Sequence, residues 1–177
     1  MKIAVLGKGD VGKSSLTYRF INYNTPQEND PTIVDRYKSS INIEGQDYEV
    51  EILDTANEED AQNMMDMWIS FGEGFLLVFD INNLLSFELL KPKYERILKG
   101  KHGVKCPILL VGNKQDLEKE RKVAYADAKQ LSDSWGIEYI ETCPKTNFNC
   151  YQAFEKLAQK IVKAKTAPKP KPCCNIM

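Results

Sequence analysis

The segment GKGDVGKSS, residues 7–15, sets Gly7, Gly12, Lys13 and Ser14 in the spacing G-x-x-x-x-G-K-[ST]. That pattern suits polyphosphate chemistry. Glycines let the backbone wrap until successive N–H groups point inward, and Gly9, Asp10, Val11 and Ser15 add their backbone to the same cradle. Lys13 would reach the β- and γ-phosphates, and the Ser14 hydroxyl would bind Mg²⁺. A helix starting here adds partial positive charge at its N-terminus. The plainer reading is a glycine-rich turn with an exposed lysine. The apolar run Ile3-Ala4-Val5-Leu6 just before the segment favours the phosphate loop.

A second polar tetrapeptide, NKQD, spans Asn113 to Asp116 and follows the apolar run PILLVG. The Asp116 carboxylate can accept hydrogen bonds from guanine N1–H and from its 2-amino group. Adenine lacks that amino group and turns an acceptor toward the carboxylate. A buried polar site left unpaired in this way discriminates by roughly 10⁴-fold or more. Asn113 would brace the loop and the base, and the Lys114 stem would cover one face of the ring. A third cluster, Asp54, Glu58, Glu59 and Asp60, places four carboxylates within seven positions. Its residue types alone fit a metal site, an acid/base apparatus or a solvated loop.

These residues must be held by a scaffold, and the rest of the sequence describes one. The chain has 177 residues, 42% hydrophobic and 28% charged, enough for one domain with a substantial core. A net charge of −1 gives no general pull toward nucleic acid. The longest uninterrupted apolar run, Phe75 to Phe79, is far below membrane-spanning length, and Met1 opens directly on a strand pattern with no signal peptide. Five cysteines without a regular framework suggest free thiols in a reducing compartment. These features together lead to the expectation of a cytosolic domain.

Ile3 to Leu6, Phe75 to Phe79 and Ile108 to Val111 read as strands buried on both faces, as in parallel sheets. INIEGQDYEVEILD reads as an antiparallel hairpin turning at Glu44-Gly45-Gln46-Asp47. Phe87, Leu90, Tyr94, Ile97 and Leu98 share a helical face, which Pro92 should kink or break. Ala128, Leu131 and Trp135 mark another helix. Tyr151, Phe154, Ala158 and Ile161 mark a last one, running to about Lys163. The implied architecture is an open α/β sheet of six mostly parallel strands, with one antiparallel hairpin and helices on both faces. Ligands bind such sheets at the carboxyl ends of the strands. Residues 1–165 form the domain, and 166–177, rich in proline and lysine, form a flexible tail.

With both loops in place, the chain resembles the Ras superfamily of small GTPases, and within it the Ras branch, over residues 1 to 165. The resemblance rests also on ILDTA, on GEGFLLVFD and on the tail. It implies a guanine-nucleotide switch that binds GTP and GDP with Mg²⁺ and hydrolyses GTP. DPTI would be the first switch, with Thr32 joining Ser14 and Asp54 around Mg²⁺ and joining Lys13 in catalysis. Asp54 would hold the metal through water, which leaves Glu59 and Asp60 on a solvated loop. Asn57 and Glu58 stand where the family carries glycine and the catalytic glutamine. ETCPK is the third base loop, bringing Cys143, Pro144 and Lys145 to the nucleotide. The edge strand with Ile33, Val34, Asp35, Arg36 and Tyr37 would be the effector surface. Exchange and GTPase-activating factors are further implied partners, and the nucleotide domain would be monomeric.

Three positions depart from the family pattern. Asn57-Glu58 implies slow hydrolysis, because glutamate keeps an acceptor for the attacking water but loses the donor and adds negative charge. Thr25 stands where an aromatic usually stacks on guanine, with Tyr23 nearby as a substitute. Pro144 has no N–H to give the guanine carbonyl, so looser guanine binding is expected.

The ending CNIM is a C-a-a-X box, making Cys174 a farnesylation site, with Cys173 a candidate for palmitoylation. Lys163, Lys165, Lys169 and Lys171 would add attraction to an anionic leaflet, roughly 1 kcal/mol each. The expected location is the cytoplasmic face of a membrane, with the plasma membrane favoured. His102, Trp68, Trp135, Cys106 and Cys150 read as loop or packing residues without a chemical role. The rival reading is a module that holds nucleotide without cycling. A P-loop kinase or ATPase comes third, disfavoured by NKQD.

Overall fold

Two-sided burial organises the chain: alternate residues of each central strand feed two separate cores. The computed structural model describes residues 1–24, 36–55, 61–102 and 106–166, and of residues 23–24 and 61–63 the backbone only. In chain order it has β1 (Lys2–Gly7), α1 (Lys13–Asn24), β2 (Arg36–Ile43), β3 (Gln46–Asp54), α2 (Ala61–Phe71), β4 (Gly74–Asp80), α3 (Leu84–Glu88), α4 (Leu90–Gly100), β5 (Ile108–Asn113), 3₁₀ turns over Gln115–Glu120, α5 (Tyr125–Trp135), β6 (Glu138–Glu141) and α6 (Cys150–Thr166).

The six strands form one sheet in the order β2-β3-β1-β4-β5-β6, antiparallel only between β2 and β3. Leu76 and Val78 of β4 meet Leu16 and Phe20 of α1 and Phe154 and Leu157 of α6 on one face. Phe75, Leu77 and Phe79 meet Trp68 of α2, Leu90 and Ile97 of α4 and Ala128 of α5 on the other. An apolar run without alternation is what a doubly covered parallel strand requires.

Local chemistry accounts for most boundaries. The β2–β3 turn is Glu44-Gly45, both at positive φ (53° and 85°), the conformation that two-residue hairpins favour. It is tighter than the four-residue turn expected, because Gln46 and Asp47 already pair with Ile43 and Asn42. Pro92 acts as expected. It sits in the first turn of α4, where its missing N–H would have donated to Glu88, and α3 ends at Glu88. Leu98, by contrast, is 36% exposed and lies off the buried face that Leu90 and Ile97 define. Helix α6 runs to Thr166, three residues past its expected end. Trp135 stacks on Tyr94 with ring centroids 4.1 Å apart, and Trp68 is buried, so both tryptophans pack.

Strand register does the positioning. Gly7 pairs with Val78, Val5 with Asp54, Asp80 with Asn113 and Gly112 with Glu141. The polar ends of five strands therefore meet along one rim of the sheet.

Candidate nucleotide site

The phosphate side of this rim is made by backbone. Between β1 and α1 the loop turns through Asp10 at φ 64° and Gly12 at φ 89°. Gly7 has no room for a side chain: a Cβ there would lie 2.2 Å from the Val78 carbonyl oxygen of the neighbouring strand. At Gly12 a Cβ would meet the Asn113 Nδ2 at 2.5 Å, and its positive φ disfavours any L side chain. Gly9 has open space around it. Lys13 lies in the first turn of α1, only 7% exposed, and its Nζ donates to the Lys8 carbonyl at 3.0 Å. Its ammonium is thus folded back over the loop that would hold the phosphates. Ser14 and Ser15 follow on the exposed side of α1.

At the end of β3, Asp54 is buried, and the hydroxyl of the next residue, Thr55, donates to the Val5 carbonyl at 2.8 Å. A serine hydroxyl and an aspartate carboxylate are the hard oxygen donors that Mg²⁺ prefers, and that ion typically completes its shell with phosphate oxygens and water. The donor set therefore fits Mg²⁺ held together with nucleotide. It does not fit an all-protein cage, and among the described residues no group of three His, Cys, Asp or Glu could hold a metal.

The base side is made by side chains. Asn113, at the end of β5, donates from Nδ2 to the Val11 carbonyl at 2.8 Å, while its Oδ1 accepts from the Thr142 hydroxyl at 3.0 Å. This one buried amide joins the phosphate loop to both base loops. Lys114 adopts the left-handed conformation (φ 64°), and its Nζ lies 2.8 Å from the buried Asp80 carboxylate. Gln115 N–H donates to the Thr142 carbonyl at 3.1 Å. Asp116 accepts from the Cys143 thiol at 3.2 Å, and Lys145 Nζ lies 3.6 Å from its other oxygen. The Cys143–Phe148 bridge closes the third loop, with both hydrogen bonds at 2.9 Å. Pro144 is buried within that loop, and its carbonyl accepts from Arg19 Nε at 2.6 Å.

Below the two base loops, Arg121 forms a two-pronged pair with Glu141, both bonds 2.9 Å, and also binds Glu118. The Tyr139 hydroxyl donates to Glu141 at 2.6 Å. The hydrogen bonds that Arg121 donates to Glu118 and then to Glu141 push its pKa further up. Burial, with the Glu141 hydrogen bond, pushes Tyr139 well above its ordinary value. Burial and the neighbouring Cys143 raise the Cys150 thiol to about 11, so it is a protonated packing group.

Between the two sides lies a cavity of about 710 Å³, lined among others by Ser14, Tyr18, Arg19, Asn113, Asp116 and Pro144. Its size and its converging polar groups suit a nucleotide. The structure therefore gathers Gly7, Gly9, Asp10, Val11, Gly12, Lys13, Ser14, Ser15, Asp54, Asn113, Lys114, Asp116, Cys143, Pro144 and Lys145 along one rim. Thr32, Ile33, Val34, Asp35, Asn57, Glu58, Cys173 and Cys174 lie outside the described residues, as does Thr25. Arg36 and Tyr37 open β2, one of the sheet's two edge strands, with Arg36 over the Phe71 ring at 5.1 Å and Tyr37 beside the cavity. Asp80, Thr142, Arg19 and the Arg121–Glu141 pair were not anticipated from sequence. Asp80 left a signal as a carboxylate ending an otherwise apolar strand, and Glu141 and Thr142 lie within ETCPK, but Arg19 and Arg121 left none.

A glycine cradle with its lysine and a base-reading carboxylate, both at the carboxyl ends of a mostly parallel sheet, define a P-loop nucleotide-binding protein. The model of the Ras family matches residues 2–163, and the chain belongs to that family of small GTPases. Members of the family bind GTP and GDP with Mg²⁺, hydrolyse GTP, and work with effectors and with exchange and activating factors.

Proposed function

We propose that this chain is a Mg²⁺-dependent guanine-nucleotide switch that hydrolyses GTP slowly and signals from a membrane through its β2 edge. The observation that carries the reading is Asn113, which ties the phosphate loop to both base loops in one pocket. The nucleotide domain spans 1–165. Ser14, Asp54 and Thr32 would hold Mg²⁺, which would neutralise phosphate charge. Lys13 moves from the Lys8 carbonyl to the β- and γ-phosphates. Asp116 reads guanine N1–H and the 2-amino group.

Slow turnover follows from Asn57 and Glu58. Glutamate at the water-orienting position offers no N–H toward the transferring phosphoryl group, and its charge opposes that of the phosphates. Single-turnover phosphate release should accelerate when Glu58→Gln and Asn57→Gly are combined. A wild-type rate equal to or above that of the double variant overturns slow hydrolysis. A nucleotide that neither hydrolyses nor exchanges in either protein establishes the non-cycling module instead.

Membrane attachment is through lipidated Cys174, helped by Cys173 and by basic residues. Lys163 is exposed at the end of α6, whereas Lys165 is ion-paired with Glu73 at 2.9 Å, so its charge is already partly neutralised by the domain. Lys169 and Lys171 therefore matter more than Lys165. A Cys174→Ser protein recovered with membranes as fully as wild type removes the anchor from the proposal.

A further inference from the structure

Arg19 belongs to no motif, yet its Nε reaches across 125 positions of sequence to the Pro144 carbonyl at 2.6 Å. The same carbonyl also receives the Asn147 N–H, but only at 3.4 Å, so Arg19 is its principal partner. The consequence lies on the other side of the peptide bond. The Pro144 carbonyl and the Lys145 N–H belong to one planar trans peptide and point in opposite directions. Fixing the oxygen fixes the N–H.

That N–H is the next backbone donor after the one proline lacks. Among the described residues it makes no hydrogen bond to another backbone carbonyl. Both Pro144 and Lys145 line the nucleotide cavity, as does Arg19 itself. Arg19 sits one helical turn beyond Ser15 on the same face of α1, so it rises from the phosphate loop toward the base loop.

We infer that Arg19 is a positioning residue for base recognition: by gripping the Pro144 carbonyl it aims the Lys145 backbone N–H at the six-keto oxygen of guanine. This restores, one residue later, the donor that Pro144 removes. The inference rests on the guanine-nucleotide reading above. It extends that reading by assigning the keto-oxygen contact and by giving α1 a part in it.

The probe is a pair of nucleotides, GDP and 6-thio-GDP, which differ only in the atom facing this donor. Sulfur is a weak acceptor, so 6-thio-GDP gains little from a well-aimed N–H. Affinities are measured in Mg²⁺ by competition with a fluorescent GDP. Arg19→Met keeps the aliphatic stem of this exposed side chain and removes the grip. It should weaken GDP about tenfold, the worth of one such hydrogen bond, and leave 6-thio-GDP within about twofold. Arg19→Lys should recover part of the GDP affinity. In a Pro144→Ala background, where a backbone N–H is restored, Arg19→Met should lose most of its effect on GDP. Equal weakening of both nucleotides by Arg19→Met makes Arg19 a general prop of the loop and overturns the inference, as does no weakening of either. If the wild-type protein binds neither nucleotide, the guanine reading itself fails, and this inference fails with it.

Discussion

The two halves of the candidate site are built by different means. On the phosphate side, backbone does the work: the loop curves because Gly7 and Gly12 have no side chains, and buried strands on either side hold it in place. On the base side, side chains do it. Asn113, Thr142, Asp80 and Arg19 come from β5, the segment after β6, β4 and α1, and the Arg121–Glu141 pair joins the segment after the 3₁₀ turns to the end of β6. A backbone-built half fails through steric exclusion, and a side-chain-built half fails through unpaired polar groups. The two modes of failure have different signatures, so the comparison can be tested.

The largest effect is expected at Gly7. Gly7→Ala should lower unfolding stability by about 3 kcal/mol or more, because its Cβ would press on a main-chain carbonyl that cannot move without its sheet. Gly9→Ala, in open space, should stay within about 0.5 kcal/mol. Chemical denaturation of the two variants separates them. Similar losses at both positions break the claim that close approach to the next strand limits this half.

The next effect sharpens the contrast on the base side. Arg121→Met leaves the Glu141 carboxylate, 12% exposed, without its cation and should cost about 3 kcal/mol. Adding Glu141→Leu should recover much of that loss, because the cost lies in the abandoned charge and not in missing volume. A double variant less stable than Arg121→Met alone contradicts this account.

A smaller effect appears at high pH. The Tyr139 pKa is raised in the fold, first by burial and then by its bond to Glu141. Its contribution is therefore complete below the unfolded value near 10 and is lost as pH rises beyond it. Stability should fall above about pH 10, and Tyr139→Phe should flatten that fall in a pH series of denaturation curves. An unchanged alkaline slope in the variant rules Tyr139 out as its source.

The smallest effect is at the surface. Burial alone would raise the pKa of Glu73, but the Lys165 hydrogen bond, with the Lys2 N–H, holds it below the usual carboxylate range. The stabilisation is present above that range and is lost as pH falls through it. Both side chains are more than a third exposed, so Lys165→Gln should cost less than about 0.5 kcal/mol at neutral pH. A loss above about 1 kcal/mol makes α6 docking depend on this pair.

The same contrast explains what was legible in sequence. Glycine spacing reports a backbone constraint directly, so the phosphate loop and the buried strand that leads into it were readable from residues 3–15 alone. The NKQD tetrapeptide reported the part of the base side that is contiguous. The supports of that half were not readable, because Arg19 and Pro144, or Asp80 and Lys114, become neighbours only through strand register and helix placement. Strand β6 escaped location for a related reason: Glu138-Tyr139-Ile140-Glu141 is short and half polar, and it is a strand because β5 pairs with it. Leu98 shows the opposite error, an apolar residue at nearly the right helical angle that the fold leaves in water.

The central place of β1 has a consequence for how the molecule comes into being. Its parallel neighbours are β3 and β4, with Lys2 opposite Glu51 and Ile3 opposite Gly74. During synthesis, β1 and the loop after it precede both partners, and the pairing on each side must close a long stretch of chain. Such remote parallel contacts form slowly. The base side waits longer still, since Asn113 and Thr142 follow later in the chain. The nucleotide pocket is thus a late product of assembly, begun by the first residues of the sequence and closed near Cys143.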